Sequence, residues 1–372
     1  SRRDNIDEDP VPGYRIVSTG GTTGNPGYFA YNDQELLYIR AQWLRALRAV
    51  DNVTGLSKEK SLRRAMIIMT GAHLIGYKAR KDWLPNQTLV IPVLTNGQPT
   101  KISHIAKQLT DFQPHILQCF GSTLRMVAEY KLQKGEDFPY SPVVIISTAA
   151  TLDSSTKRLV NKAWPDSKIF DMYSSTDMGG IGFTCEKGRM HLNTDYFELE
   201  IIDHQGNPVR PGEMGKVTFT SYWHRTLPLI RYQLEDVVSI SDKPCLCGRS
   251  LPVVEQLFGR ENTICYRWEE GKVSPIPQGA IMDVMETIEG LKNFQLIQNN
   301  LTSVTLKTVV NNPTQEIKDK IRQSIQKLFG PKTTVNLEFV NYLGPDPRSG
   351  KYLPVRREFD PYSAGGVDHD RS

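Results

Sequence analysis

Long apolar runs are missing from this chain. Its longest buried-looking stretches, such as Val143 to Ile146, are the length of a strand, far short of the ~20 residues that a membrane helix needs. No membrane partner is expected. The opening SRRDNIDEDPVPGYR carries no apolar segment of the kind a signal peptide uses. Charge of one sign is also scarce: 45 Lys and Arg face 41 Asp and Glu, a net +4 spread along 372 residues. So dispersed an excess does not make a nucleic-acid surface. Cysteine is sparse and odd in number, five in all, with two of them in Cys245-Leu246-Cys247. That argues against a secreted disulfide framework and for a reducing, cytoplasmic setting. What remains, 39% hydrophobic and 23% charged residues, is ordinary for a soluble globular protein. The length allows one large domain, or a large one with a small one, and needs no disulfide staple.

Periodicity then divides the chain. Gln34 to Val50 reads as a helix with Leu36, Leu37, Ile39, Trp43, Leu44 and Leu47 as its buried stripe. Ala65 to Met69, Thr88 to Val93 and Val143 to Ser147 read as buried strands, and Lys101 to Leu109 and Ser122 to Leu132 as helices. Strands alternating with helices predict an α/β fold. From Asp195 onward the texture is β-rich, with strands at Phe197 to Ile202 and Lys216 to Thr220. After Gly259-Arg260 come strands near Phe294 to Gln298 and Ser303 to Val309. A helix stopped by Gly330-Pro331 and a strand at Thr334 to Val340 complete a small α+β domain.

One loop is built like a phosphate cradle yet lacks a lysine. In TGGTTGNPG, Thr19 to Gly27, glycines let the backbone approach a ligand, while amides and hydroxyls can donate to oxygens. Asn25 and Pro26 follow Gly24, so the Walker pattern is excluded. Read alone, the loop is equally a flexible turn. Further along come Tyr173-Ser-Ser-Thr-Asp177, Arg231-Tyr-Gln-Leu-Glu-Asp236, Gly259-Arg260 and Ser349-Gly-Lys351.

These five segments, in this order, resemble the adenylate-forming superfamily of acyl-CoA ligases and peptide-synthetase adenylation domains. PLIRYQLEDVV and CLCGRSLPVVEQLFGR place the resemblance nearest the phenylacetate–CoA ligase-like branch. It implies a large N-terminal domain over 14–259, with α/β subdomains and a β-rich portion. A hinge would join it to a small mobile C-terminal domain over 260–360, with 1–13 and 361–372 as flexible tails. It also implies an enzyme that activates an aromatic or other small carboxylic acid with ATP and Mg²⁺ and passes the acyl group to CoA. An amine, giving an amide or N–N bond, and a carrier-protein thiol are the alternative acceptors. A homodimer is the assembly it allows. A zinc-stapled, non-catalytic binding protein of the same fold is the rival reading.

Residue by residue, the resemblance assigns Thr19, Gly20, Gly21, Thr22, Thr23 and Gly24 to the ATP phosphates and Tyr173 to the adenine. Thr176 goes to the α-phosphate and Asp177 to Mg²⁺, where relatives usually have Glu. Asp236 goes to the ribose hydroxyls, and Arg260 to the ribose or phosphate. Lys351 would stabilise the attack of the acid on phosphorus. Read as residues alone, the Tyr173–Asp177 stretch is equally a capping turn, and Lys351 equally an exposed loop lysine.

Cys185, His191, Cys245 and Cys247 form a Cys…His…Cys-x-Cys set of the kind seen in that branch: three thiolates and an imidazole, suited to structural Zn²⁺. The alternative is buried free thiols beside an unrelated histidine. Cys119 and Cys265 read as core residues, and His73 as pocket wall or helix start. Two departures accompany the resemblance. Relatives carry several tens of residues before the phosphate loop, which here begins near residue 19. Asn262 stands where they have a hinge acid, and Tyr266-Arg267-Trp268 puts bulk where small residues are usual beside the CoA tunnel.

Overall fold

The computed structural model describes residues 11–19, 27–59, 61–68, 87–95, 98–148, 152–343 and 353–362. Gly20, Gly21, Thr22, Thr23, Gly24, His73 and Lys351 lie outside the described residues. The chain divides into two compact units. One comprises residues 1–234, 238–257 and 348–350, and the other 235–237, 258–347 and 351–372.

In the first unit, β1 (Tyr14–Ser18) and β2 (Tyr28–Asn32) form an antiparallel hairpin around the glycine loop. The long helix α1 (Asp33–Thr54) follows at once. Asn32 starts it with a capping box: its side chain accepts from Glu35 N–H, and the Glu35 carboxylate accepts from Asn32 N–H. Gly55, at φ 63°, ends it in the left-handed conformation that glycine adopts without strain. The buried face of α1 includes Leu36, Ile39, Gln42, Trp43, Ala46 and Val50, whereas Leu37 and Leu44 are 57% and 45% exposed. The expected stripe was drawn from apolar residues alone. It missed that Glu35 and Gln42 are buried because each is hydrogen-bonded.

Next come β3 (Arg64–Ile68), β4 (Thr88–Pro92), a two-residue pair β5 (Leu94–Thr95) and β6 (Gln98–Pro99), α2 (Ile102–Phe112) and β7 (Ile116–Phe120). α3 (Gly121–Lys134), β8 (Val144–Thr148), α4 (Ser154–Ala163) and β9 (Lys168–Ser175) continue the alternation. The β-rich portion adds β10 (Gly179–Thr184), β11 (Met190–Leu192), β12 (Phe197–Ile202), β13 (Gly215–Ser221), β14 (Tyr232–Ile240) and β15 (Val253–Arg260). One sheet runs β12-β13-β14-β15-β11-β10-β9-β8-β7-β3-β4. Its β4-β3-β7-β8-β9 end is parallel and buried on both faces, so its strands are near-continuous apolar runs. Ile145, Leu117 and Ile67 join α2, α3 and α4 in one core; Ile146, Phe170 and Met172 join α1 in another. All five parallel strands end at the same edge, where ligands bind in open α/β sheets.

In the second unit, the hairpin β16 (Cys265–Glu269) and β17 (Lys272–Ile276) leads through α5 (Gln278–Glu286) to β18 (Leu291–Asn300) and β19 (Ser303–Val310). α6 (Gln315–Phe329), β20 (Thr334–Phe339) and β21 (Val355–Arg357) complete it. The sheet order is β20-β19-β18-β21, and Ile281, Met285, Phe294, Leu306, Ile321 and Ile325 fill the core. The buried Gln298 amide ties the hairpin to this sheet: it accepts from Tyr266 N–H at 2.9 Å and donates to Tyr266 O at 2.6 Å. Cys119 and Cys265 are fully buried.

Candidate functional site

The hairpin β1–β2 closes the glycine loop at its base. Thr19 N–H donates to Gly27 O at 2.9 Å, and Gly27 N–H donates to Thr19 Oγ1 at 2.9 Å. Four residues beyond Gly27, the fully buried Tyr31 hydroxyl reaches the carbonyl oxygens of Thr176 and Asp177, at 2.8 and 2.9 Å. The Tyr-x-x-Thr-Asp stretch is the end of β9 and the turn into β10. Tyr173 is buried, Thr176 half-buried, and Asp177 only 5% exposed. Two sequence segments 145 residues apart are therefore joined through one tyrosine. At the carboxyl edge of the sheet, the hydroxyls of Thr148 and Ser174 pair at 3.2 Å. Gly179, at φ 72°, lets the turn rejoin β10 under α1, where a Cβ would lie 2.8 Å from Gln42 Oε1.

Electrostatics mark the same spot. Burial pushes the Tyr31 phenol well above its ordinary value, helped by the charges of Asp177 and Glu35. His224 is buried against Tyr31, its ring centroid 5.5 Å away, and stacked on Trp223. Burial holds its imidazole down to about 4, so it is neutral near pH 7. Sequence reading missed both residues, and it missed Asp171. This carboxyl lies two residues before Tyr173 in β9 and is partly accessible, yet its dense surroundings push it up to about 7. The signal was a lone acid inside an apolar strand, Phe170-Asp171-Met172. Asp236 and Arg260 sit on the adjacent strands β14 and β15, and Arg260 forms an ion pair with Glu235 at 3.5 Å.

The cysteine set comes together in the first unit. Its four candidate ligand atoms, from Cys185, His191, Cys245 and Cys247, all lie within 4.8 Å of one another. Cys185 directly follows β10 and His191 lies on β11, the two strands paired through a tight hairpin with Gly188 at φ 75°. β11 in turn pairs with β15, whose preceding loop supplies Cys245 and Cys247. The Cys185 and Cys245 sulfurs are 3.7 Å apart, and Cys247 Sγ is 3.3 Å from His191 Nε2. A tetrahedral ion with ordinary zinc bond lengths spaces sulfur pairs by ~3.8 Å and sulfur–nitrogen pairs by ~3.5 Å. The residues fit such an ion. His191 Nδ1 meets Leu251 O at 3.0 Å, an arrangement in which Nδ1 carries the proton and Nε2 presents its lone pair to the sulfurs. Arg249 braces the site by pairing with Glu186, whose carboxyl it holds down to about 2.

With this geometry in view, comparison with known proteins is informative. Residues 266–358 match the CapK C-terminal domain family. Protein CapK of Staphylococcus aureus is 22% identical over 350 residues, covering 91% of this chain and 73% of that protein. The phenylacetate-coenzyme A ligase of Thermus thermophilus is 24% identical over 260 residues, 66% of this chain and 54% of the ligase. Phenylacetate-coenzyme A ligases thus stand among its sequence relatives, which fits the superfamily resemblance. A 2-hydroxyisobutyryl-CoA ligase, solved with 2-HIB-AMP in its postadenylation state, shares the fold at a TM-score of 0.68. There the identity is 15%, covering 94% of this chain and 75% of that one. The chain spans about half the length of the phenylacetate-coenzyme A ligase it matches. Among the described residues, no helix is long and apolar enough to cross a membrane.

Proposed function

We propose that this protein is an ATP-dependent ligase that converts a small aromatic carboxylic acid to its acyl adenylate and transfers the acyl group to CoA. The observation that carries the reading is the Tyr31 contact, which fastens the glycine-loop hairpin to the Thr176–Asp177 turn. In the proposed site the loop hydroxyls and amides from Thr19 to Gly24 hold the β- and γ-phosphates. The absence of lysine from the loop leaves more of their charge to Mg²⁺. Thr176 donates to the α-phosphate. Asp177, one methylene shorter than glutamate, holds the ion in part through water. Tyr173 lies against the adenine, and Asp236 and Arg260 take the ribose. Lys351 stabilises charge developing on the α-phosphate oxygens as the carboxylate attacks. The Cys185–His191–Cys245–Cys247 set holds a structural Zn²⁺. Four protein ligands leave it no open coordination position, which separates the metal from the chemistry.

Pyrophosphate release from MgATP across a panel of aromatic and aliphatic acids, with hydroxylamine as acyl trap, tests the first step. Release that depends on one acid is expected. Folded, zinc-loaded protein that releases none with any acid overturns the reading in favour of a non-catalytic binding protein. A second reading, transfer to an amine instead of CoA, is favoured by bulk in the hairpin after Arg260. There Trp268 is 48% exposed, and Arg267 is fixed by Glu269 and Leu328 O. Product analysis with CoA and with amines separates the two.

A further inference from the structure

The Thr176–Asp177 turn offers two buried carbonyl oxygens but only one completed donor. Tyr31 has a single O–H and meets both oxygens, at 2.8 and 2.9 Å, so it satisfies one at a time. The second donor stands beside it. Ser221 Oγ accepts long bonds from Trp223 N–H and His224 N–H, at 3.4 and 3.3 Å. Its own proton is then free for His224 Nδ1, 2.6 Å away. That tautomer leaves the hydrogen on His224 Nε2. This nitrogen is buried with no completed hydrogen bond among the described residues, and the Asp177 backbone is the polar main-chain group that acts on the ring. Glu35 fixes both donors relative to each other. Its carboxylate accepts from Asn32 N–H, next to Tyr31, at 2.8 Å, and from Arg225 and Thr226 N–H, next to His224, at 2.6 and 2.8 Å.

We propose that Tyr31 and His224 are paired positioning residues, each supplying one donor to one carbonyl of the Thr176–Asp177 turn, so that Thr176 and Asp177 are held to receive MgATP. The inference rests on the ligase reading for the identity of the nucleotide. The pair does not touch the acid and acts on the nucleotide only through the turn, so its loss weakens MgATP and leaves the acid alone.

Four variants test this. Tyr31→Phe removes one hydroxyl. His224→Asn keeps an amide near the Nδ1 position and drops the Nε2 donor, and His224→Gln returns an N–H near Nε2. Tyr140→Phe is the control, because its hydroxyl is equally buried and has no hydrogen-bond partner among the described residues. Readouts are KM for MgATP, KM for the acid, and MgATP binding by tryptophan fluorescence, with Trp223 stacked on His224 as reporter. Tyr31→Phe and His224→Asn are expected to raise KM and Kd for MgATP about tenfold, the size of losing a buried hydrogen bond. KM for the acid stays unchanged, and His224→Gln returns to near the wild-type value. Both variants within twofold of wild type overturn the proposal. So does a parallel rise in both KM values, or an equal loss in Tyr140→Phe, because each marks general loosening. Failure of the wild-type protein to release pyrophosphate defeats the ligase reading separately, since the fluorescence titration still reports on MgATP.

Discussion

The superfamily resemblance aims the Lys351 ammonium at the reacting phosphorus. A positive charge matters most where negative charge develops in a closed site. Lys351→Ala is expected to cut acid-dependent pyrophosphate release by about 100-fold or more, the scale of losing one preorganised stabilising group. An undiminished rate removes Lys351 from the mechanism. Two other residues give opposite pH signatures. His224 falls from 6.5 to about 4 on folding, so the unfolded chain binds the extra proton, and stability from this group is lost as pH drops through that window. Asp171 rises from 3.8 to about 7, so the folded protein holds the extra proton, and stability is lost as pH climbs through that window. Relative to wild type, the Tm of His224→Gln should therefore improve as pH falls from 6.5 toward 4. That of Asp171→Asn should improve as pH rises from 4 toward 7. Flat differences in thermal melts across those ranges would contradict the assignments.

The β10–β11 hairpin is the element that brings Cys185 to His191, and Gly182 is what lets its strands meet. A Cβ there would lie 2.6 Å from His191 O, which is backbone and cannot swing aside. Gly182→Ala should force the strands apart at a cost of about 1–3 kcal/mol. It should also lower bound zinc well below one per chain by elemental analysis, whereas Gly188→Ala meets nothing within 4 Å. Gly188 still sits at φ 75°, so it carries backbone strain without the clash. Equal zinc in Gly182→Ala and wild type would show that hairpin closure does not set the metal geometry. At the element scale, apolar periodicity alone does not define the buried face of α1. Periodicity located the helix. Glu35 and Gln42 go inward because distant backbone donors, Arg225, Thr226 and Gly180, await them.

At the scale of the molecule, the four candidate metal ligands all belong to the first compact unit. Metal that binds only the folded site stabilises the unit containing it. Chelation should lower the calorimetric transition of that unit by several degrees and leave the transition of the 258–347 unit in place. Protein purified without zinc, or a melt indifferent to chelator, would sink the metal assignment. Much here was legible in the chain itself. Apolar runs gave β3, β4 and β8 and the helices α2 and α3, because a parallel sheet buried on both faces needs such runs, while β7 was not read from the chain. The order of short polar motifs gave the superfamily, because each motif needs particular residue types at fixed local spacing. Other features were decided only by tertiary structure. Tyr31 looks like any strand aromatic, His224 like any histidine in a loop, and Asp171 like a stray acid. Tyr31 acts on carbonyls 145 and 146 residues away, His224 packs on the ring of Tyr31 from another segment, and Asp171 accepts from an amide 19 residues away. Local sequence fixes backbone preference and burial pattern. Which buried donor meets which acceptor is set only when distant segments pack, and there the candidate site acquires its geometry.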